Sequence, residues 1–286
     1  MIRLAMAQIN TRLGDTQANL EKHLALIEDA RDAGADIIVF PELSLMGYAL
    51  QDLTASVAIP ADDSSLEPLR QASAEIDVLF GFVESDQRNR FYNSAAYLSQ
   101  GEILAVHRKV YLPTYGVFDE GRFFAWGDQI AAFDTRFGRL GVLICEDFWH
   151  ASPPYLLWLD GADVMLFMSA SPGRGLDGES VLESARWVEH VAQAYASLFT
   201  TFVSNVGRVG FEDGLGFWGG STVFDPHGEL VVRGPNHEEE LIMAELDLRQ
   251  LHRARARLPL LRDERPDLIQ RELKRIRKSR PRNPRQ

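Results

Sequence analysis

The sequence predicts an α/β layered fold with mixed sheets, and three observations lead to that expectation. Apolar runs of strand length recur along the chain, and several carry no polar residue on either face (IIVF within 36–40, LGVLI within 139–144, VMLFM within 163–168). Segments with helical spacing separate the early runs, whereas hairpin-like pairs punctuate the middle and the end. No shift in composition divides the chain before residue 249. One domain over 1–248, followed by a C-terminal tail over 249–286, is the expected organisation.

The elements follow in order. Residues 2–9 alternate as a strand. Thr16 is placed as the cap of a helix that carries Leu20, Leu24, Ile27 and Ala30 at helical spacing and ends near Gly34. Segment 36–40 (DIIVF) is a short buried strand stopped by Pro41. Strands are expected at 78–83, 95–98 and 103–106, the last two joined by a turn over 99–102. Segment 139–144 (RLGVLI) is another buried strand. A helix near 154–159 leads to a further strand at 163–168, and a long helix is expected over 179–197. Strands resume at 199–204, 221–224, 229–232 and 241–245. In the tail, 263–277 has helical character and 281–286 (PRNPRQ) reads as disordered.

Composition narrows the function classes. A hydrophobic share of 45% and a charged share of 25% are those of a soluble globular protein with a large core. A signal peptide is not recognisable at the N-terminus, and no apolar run approaches the ~20 residues that span a bilayer. A cytoplasmic protein without membrane contact is expected. The single cysteine excludes an internal disulfide and a multi-cysteine metal site, and the seven histidines show no HxH or HExxH spacing, so no metal is expected. The net charge of −11 argues against nucleic acid as a partner. The tail from Arg249 holds fourteen Lys/Arg against four Asp/Glu, so the rest of the chain is more acidic than the total. That tail reads either as a solvated helix or as a basic element lying on an acidic face of its own or a neighbouring subunit, with nucleic-acid binding by the tail a distant third.

Three residues stand at predicted strand ends, where α/β folds place ligands. Cys145 ends RLGVLI, Glu42 follows DIIVF, and Lys109 follows the strand at 103–106. Taken singly, each has a bland reading: a small buried hydrophobe, a cap or surface carboxylate, a solvated ammonium. Taken together they supply a nucleophile, a base and a cation. A thiol is a weak nucleophile until it loses its proton. A carboxylate can take that proton and return it to a leaving amine. An ammonium, with the backbone N–H of Glu146, can stabilise a tetrahedral oxyanion. An activated thiol is expected to react below the free-thiol pKa of about 8.5.

FPELSLMGY, HRKVYLPTYGVFDEGRFF and GVLICEDFWH resemble, in order, the glutamate, lysine and cysteine motifs of the nitrilase (carbon–nitrogen hydrolase) superfamily. MSASP, VSNVG and GGSTVFDPHGEL extend the similarity to roughly residues 3–247. The resemblance implies an αββα sandwich, a single domain whose subunits pair into homodimers or higher homo-oligomers. It also implies an amidase-type enzyme that needs no cofactor. It makes Cys145 the nucleophile, Glu42 the general base and acid, and Lys109 the oxyanion stabiliser. Glu120 takes the place of the second active-site glutamate, with Asp119 beside it as the competing candidate.

Within the superfamily the wording PTYGVFDEGRFF and CEDFWH is most similar to the glutaminase domain of glutamine-dependent NAD synthetases. The chain departs from that pattern in having no SGGxDS-type nucleotide loop. A free-standing amidase acting on a small-molecule amide, or an ammonia-supplying subunit for a separate NAD synthetase, is therefore expected. Nitrile hydrolysis on the same triad is a variant. Tyr115 and Phe118 are placed as pocket walls, and Glu146 as the receiver of a substrate ammonium. Arg174 is either the receiver of a carboxylate or a solvated loop residue. His150 is the candidate partner in a competing papain-like Cys–His reading, and a non-enzymatic scaffold is the competing reading outside the hydrolases. His107 is placed as a brace for Lys109.

Overall fold

A computed structural model describes residues 1–173 and 183–279. The first sheet is built from β1 (Ile2–Gln8), β2 (Ile37–Val39), β3 (Asp77–Ser85), β4 (Phe91–Ser99) and β5 (Glu102–Arg108). The second begins with β6 (Ala132–Thr135), β7 (Gly138–Ile144), β8 (Val164–Ser169) and β9 (Phe202–Gly207). A separate hairpin, β10 (Val209–Glu212) and β11 (Leu215–Trp218), follows. Then β12 (Thr222–Phe224) and β13 (Leu230–Arg233) complete the second sheet, and β14 (Glu240–Leu246) returns to the first. The sheet orders are β14-β1-β2-β3-β4-β5 and β13-β12-β9-β8-β7-β6.

The two sheets pack face to face. Ile2, Leu4 and Met6 of β1 and Ile37 and Val39 of β2 meet Leu140, Val142 and Ile144 of β7 and Leu166 and Met168 of β8 in one buried cluster. Helices cover both outer faces, which is why β2 and β8 are buried along their whole length. On the first sheet lie α1 (Thr16–Asp32), α2 (Thr54–Val57) and α3 (Glu67–Ala72), with Leu20, Ile27 and Leu69 in the contact. After the one-turn α4 (Glu120–Phe123), α5 (Ser152–Leu159) and α6 (Glu183–Phe199) cover the second sheet through Leu157, Val188 and Ala192. The architecture is the αββα sandwich expected from the motifs.

Strand directions bring the chemistry to one edge. β2 and β3 are parallel, and β4 is antiparallel to both β3 and β5, so β5 ends on the same edge as β2. β7 and β8 are parallel to one another. The turns after β2, β5, β7 and β8 carry Glu42, Lys109, Cys145 and Ala170 respectively.

The charge step at residue 249 falls inside the packed body. The last three helices are α7 (Arg249–Arg257), α8 (Leu260–Asp263) and α9 (Pro266–Ser279). Leu251 of α7 lies in the core between the sheets, and Arg255 donates to Asp163 at 2.8 Å. By contrast α9 buries none of its residues. Among the described residues no helix is long and apolar enough to cross a membrane.

Several boundaries differ from the sequence reading. The first helix is capped by Asp15, whose carboxylate accepts from the N–H of Ala18, and Thr16 is its first residue. The strand expected from 199 begins at Phe202, because α6 runs on through Phe199. β6 and the β10–β11 hairpin are additional, and glycines at 210, 214 and 216 interrupt the alternation that would reveal the hairpin. Of the long helix expected over 179–197, positions 179–182 lie outside the described residues, as does 281–286.

Gly81 of β3 shows how closely the site is seated on the sheet. A Cβ there would lie 2.4 Å from the N of Leu43 and 2.8 Å from the O of Pro41, both backbone atoms of the turn that holds Glu42. Gly81→Ala is expected to cost about 1–3 kcal/mol by overpacking and to lower catalytic turnover as well. Denaturant midpoints and ammonia-release rates check both effects, and a variant with both unchanged contradicts this seating.

Candidate active site

Glu42 is 1% exposed, in a turn where Leu43 adopts φ +49°. The turn is anchored from below by His23 of α1. The His23 Nδ1 is 2.7 Å from the O of Asn19, and its Nε2 is 2.9 Å from Ser44 Oγ. Burial lowers the His23 pKa to about 4, so the ring is neutral at ordinary pH. The tautomer with Nδ1–H satisfies both contacts, leaving Nε2 to accept from the serine.

Lys109 is completely buried. Its backbone is fixed on both sides: its N–H donates to the O of Asn93, and its O accepts from Gly127, each at 2.8 Å. The ammonium donates to Glu42 Oε1 at 2.7 Å and to Glu120 Oε1 at 2.8 Å. Glu120 is the glutamate that reaches the site, and Asp119 beside it is exposed. Tyr48 donates its phenol O–H to Glu120 Oε1 at 2.7 Å. The Asn93 amide donates to Glu42 Oε1, and the N–H of Ala170, from the second sheet, donates to Glu42 Oε2, each at 2.8 Å. Both oxygens of Glu42 are thus engaged as acceptors.

Cys145 occupies a sharp turn at φ +44°, opening a 3₁₀ segment (Cys145–Trp149) at the end of β7. That backbone value is unfavourable for a residue with a side chain and projects it from the strand end, as in a nucleophile elbow. The sulfur lies 3.7 Å from Ser171 Oγ. Burial raises the thiol pKa well above its ordinary value, Glu42 and Glu120 add to the rise, and Lys109 opposes it. The direction of the shift favours the thiol over the thiolate in the resting site. The physical reason is burial first, which penalises the charged sulfur, and then the acidic groups around it, whose effect Lys109 opposes.

The ammonium remains charged. Burial opposes it, but the nearby Glu120 and Glu42 outweigh burial and raise its pKa. Glu120 is raised to about 7, chiefly by burial, with Lys109 opposing and Glu42 reinforcing the shift. Two of the three ammonium N–H groups face carboxylates, which leaves one for another acceptor.

Above the sulfur is a cavity of about 390 Å³, walled by Tyr115, Phe118, Trp149, Trp187 and Trp218 with Glu146 among them. The Tyr115 hydroxyl donates to Glu146 Oε2 at 3.0 Å. Tyr115, Phe118 and Glu146 thus line one cavity with Cys145. Arg174 lies outside the described residues. His150 stacks on Tyr111 with ring centroids 3.7 Å apart and faces Glu146 at 3.6 Å. The leading electrostatic influences on the thiol come from Glu42, Lys109 and Glu120. His107 does not brace Lys109 by a side-chain bond; its Nε2 pairs with Asp147 at 2.8 Å. Among the described residues no group of three or more His, Cys, Asp or Glu is arranged to hold a metal ion.

Sequence reasoning misses Tyr48, Asn93 and Ser171. Tyr48 is the last residue of FPELSLMGY, and Asn93 is a polar residue in a strand buried on both faces (FYNSAAYLS), so a signal for each was present. Ser171 stands beside the strand end at Ser169 within MSASP.

A strand-end thiol beside an ammonium clamped by two carboxylates is the arrangement of a carbon–nitrogen hydrolase. The pattern of the carbon-nitrogen hydrolase family matches residues 3–256, and the chain belongs to that family. Glutamine-dependent NAD(+) synthetase of Thermotoga maritima is 37% identical over 255 residues, covering 86% of this chain and 42% of the relative. Among solved structures, the glutamine-dependent NAD+ synthetase of Acinetobacter baumannii in complex with ADP superposes with a TM-score of 0.76 at 31% identity. It covers 87% of this chain and 46% of that one. Nit3 of Saccharomyces cerevisiae, a member of branch 10 of the nitrilase superfamily, gives a TM-score of 0.79 at 25% identity, covering 91% and 94%. The chain spans less than half the length of the NAD synthetases it matches.

Glu120 generates a pH prediction. Unfolded, it releases its proton near 4.5, and folded near about 7, so between these values only the folded state holds the proton. Its contribution to stability is therefore full below the lower value and is lost as pH rises through the higher. Wild type is expected to lose thermal stability relative to Glu120→Gln from about pH 5 to about pH 7.5. Melting curves of the two proteins measure the difference, and parallel pH dependences would contradict it.

Proposed function

We propose that this chain hydrolyses the carboxamide of a small, glutamine-like or ω-amide substrate through a thioester on Cys145, releasing ammonia. The observation that carries the reading is the Lys109 ammonium held between Glu42 and Glu120 beside the cysteine turn.

Glu42 takes the thiol proton as the sulfur attacks the amide carbon. The remaining N–H of Lys109, with the backbone N–H of Glu146, receives the oxyanion of the tetrahedral adduct. The adduct collapses with cleavage of the carbon–nitrogen bond, and Glu42 passes its proton to the departing nitrogen, which leaves as ammonia. Water then attacks the thioester carbon with Glu42 again as base, and the thiol and a carboxylic acid are regenerated. Because the sulfur rests protonated, transfer to Glu42 accompanies attack. Glu120 Oε2 is buried without a partner among the described residues, and the substrate –NH2 supplies the donor it lacks. Glu146 and Tyr115, in the cavity wall, suit an ammonium at the far end of the substrate.

A second reading follows from the relatives. Identity of 37% to part of an NAD synthetase supports a role as the ammonia-supplying partner of a separate NAD synthetase. A reactive free thiol suits a reducing compartment, which supports placement in the cytoplasm. The basic α9 and the acidic body support a homo-oligomer in which they meet.

Ammonia release is to be measured over glutamine, asparagine, ω-amides, N-carbamyl amino acids and simple nitriles. Glutamine or an ω-amide is expected to lead, and activity confined to nitriles would sink the amide assignment. Cys145→Ala, Lys109→Ala and Glu42→Gln are expected to lose at least about 10³-fold in turnover, as residues that act as a unit do. His150→Ala is expected to retain activity, and its loss would favour a Cys–His mechanism. Addition of an ammonia-dependent NAD synthetase should raise the rate on glutamine if the second reading holds.

A further inference from the structure

Asp147 is a fully buried carboxylate that the reaction scheme leaves without a task. Its Oδ1 accepts from the backbone N–H groups of Val110 and Tyr111, each at 2.9 Å. Its Oδ2 accepts from the N–H of Ile144 at 3.2 Å and meets His107 Nε2 at 2.8 Å. Val110 follows Lys109 directly, and Ile144 directly precedes Cys145. One side chain therefore holds the backbone on the far side of the ammonium and on the near side of the sulfur.

The tie matters because of where those segments lie. Lys109 leaves β5, at the edge of the first sheet, and Cys145 leaves β7, one strand from the edge of the second. Among the described residues no ladder hydrogen bond joins the sheets. Apolar contact fills the space between them and is non-directional; directional links elsewhere run from Ser221 to Gln8 and from Arg136 to Asp77. Acyl transfer demands precise placement, since a misplacement of 1 Å can cost about 10²-fold in rate. Ala170 supplies one directional link, from the end of β8 to Glu42. Asp147 supplies the corresponding link from the β7 turn to the segment that carries Lys109.

We infer that Asp147 is a positioning residue that sets the Cys145 sulfur against the Lys109 ammonium, with His107 as the donor that orients its second oxygen. The inference rests on the proposed roles of Cys145 and Lys109. An amide at this position keeps one acceptor for Val110 and Tyr111 but turns an N–H₂ toward the N–H of Ile144, where two donors meet. Asp147→Asn thus releases the cysteine side of the tie while leaving the lysine side in place. At His107, glutamine retains a donor for Asp147 and leucine has none.

The test uses the full chain of wild type, Asp147→Asn, His107→Leu and His107→Gln. It measures ammonia release, the rate of Cys145 alkylation by iodoacetamide from intact mass, and thermal midpoints. Asp147→Asn is expected to lower kcat by about 10–100-fold while KM stays within about threefold, with slower alkylation. His107→Leu is expected to lower kcat several-fold, and His107→Gln to restore most of it. A purely structural role would lower the thermal midpoint and leave kcat of the folded protein intact; that result overturns the inference, as does a rise in KM alone. Should Asp147→Asn not fold, the two His107 variants decide, and equal kcat in both overturns the inference. If wild-type ammonia release survives Cys145→Ala, the underlying assignment of the nucleophile has failed instead, and the two failures are told apart.

Discussion

The ammonium of Lys109 sits in the interior with no solvent contact, and much of the active edge is organised around keeping it there. Removing such an ion from water costs several kcal/mol, offset only when well-placed partners face it. Glu42 and Glu120 are those partners, and each must itself be held. Tyr48 and Asn93 each donate to one of them, and Ala170 reaches Glu42 across from the second sheet. A change that removes either carboxylate leaves an incompletely paired buried charge, which is far more costly than loss of a surface ion pair.

The same cluster bears on the state of the sulfur. Burial, reinforced by Glu42 and Glu120, makes a thiolate unfavourable, so the proposed acid–base work falls at the moment of attack. In the proposed reaction the substrate enters a site whose donors are already in position, and the adduct's oxyanion takes the third N–H of Lys109. Charge is thus matched to the adduct rather than to the resting thiol, which is the condition for lowering a barrier.

Much of this was legible in the sequence for identifiable reasons. Glu42, Lys109 and Cys145 each follow an apolar run, and a run of that kind ends where a buried strand reaches an edge. Glu120 is assigned by motif with Asp119 as its competitor, because adjacent residues at the start of a one-turn helix differ in direction and not in pattern. The β10–β11 hairpin was hidden by its glycines, although Asp213–Gly214 is a recognised two-residue hairpin turn. Asp147 was overshadowed by its neighbour Glu146, since its partners Val110, Tyr111 and His107 are 36 to 40 positions away in the chain. Contacts of that range depend on how the two sheets stack, and local periodicity carries no information about stacking. The state of the thiol is not legible for a related reason: Glu42, Lys109 and Glu120 are all named by motif, but the complete burial that chiefly raises the thiol pKa follows from how the sheets stack.

The buried, protonated state of Cys145 has a consequence for durability. It is the thiolate, not the thiol, that attacks peroxides and disulfides. A nucleophile that ionises only against a bound carbonyl offers those oxidants little to react with between turnovers. The chain has a single thiol and so no resolving cysteine; slower oxidation between turnovers is what the raised pKa of Cys145 leads one to expect.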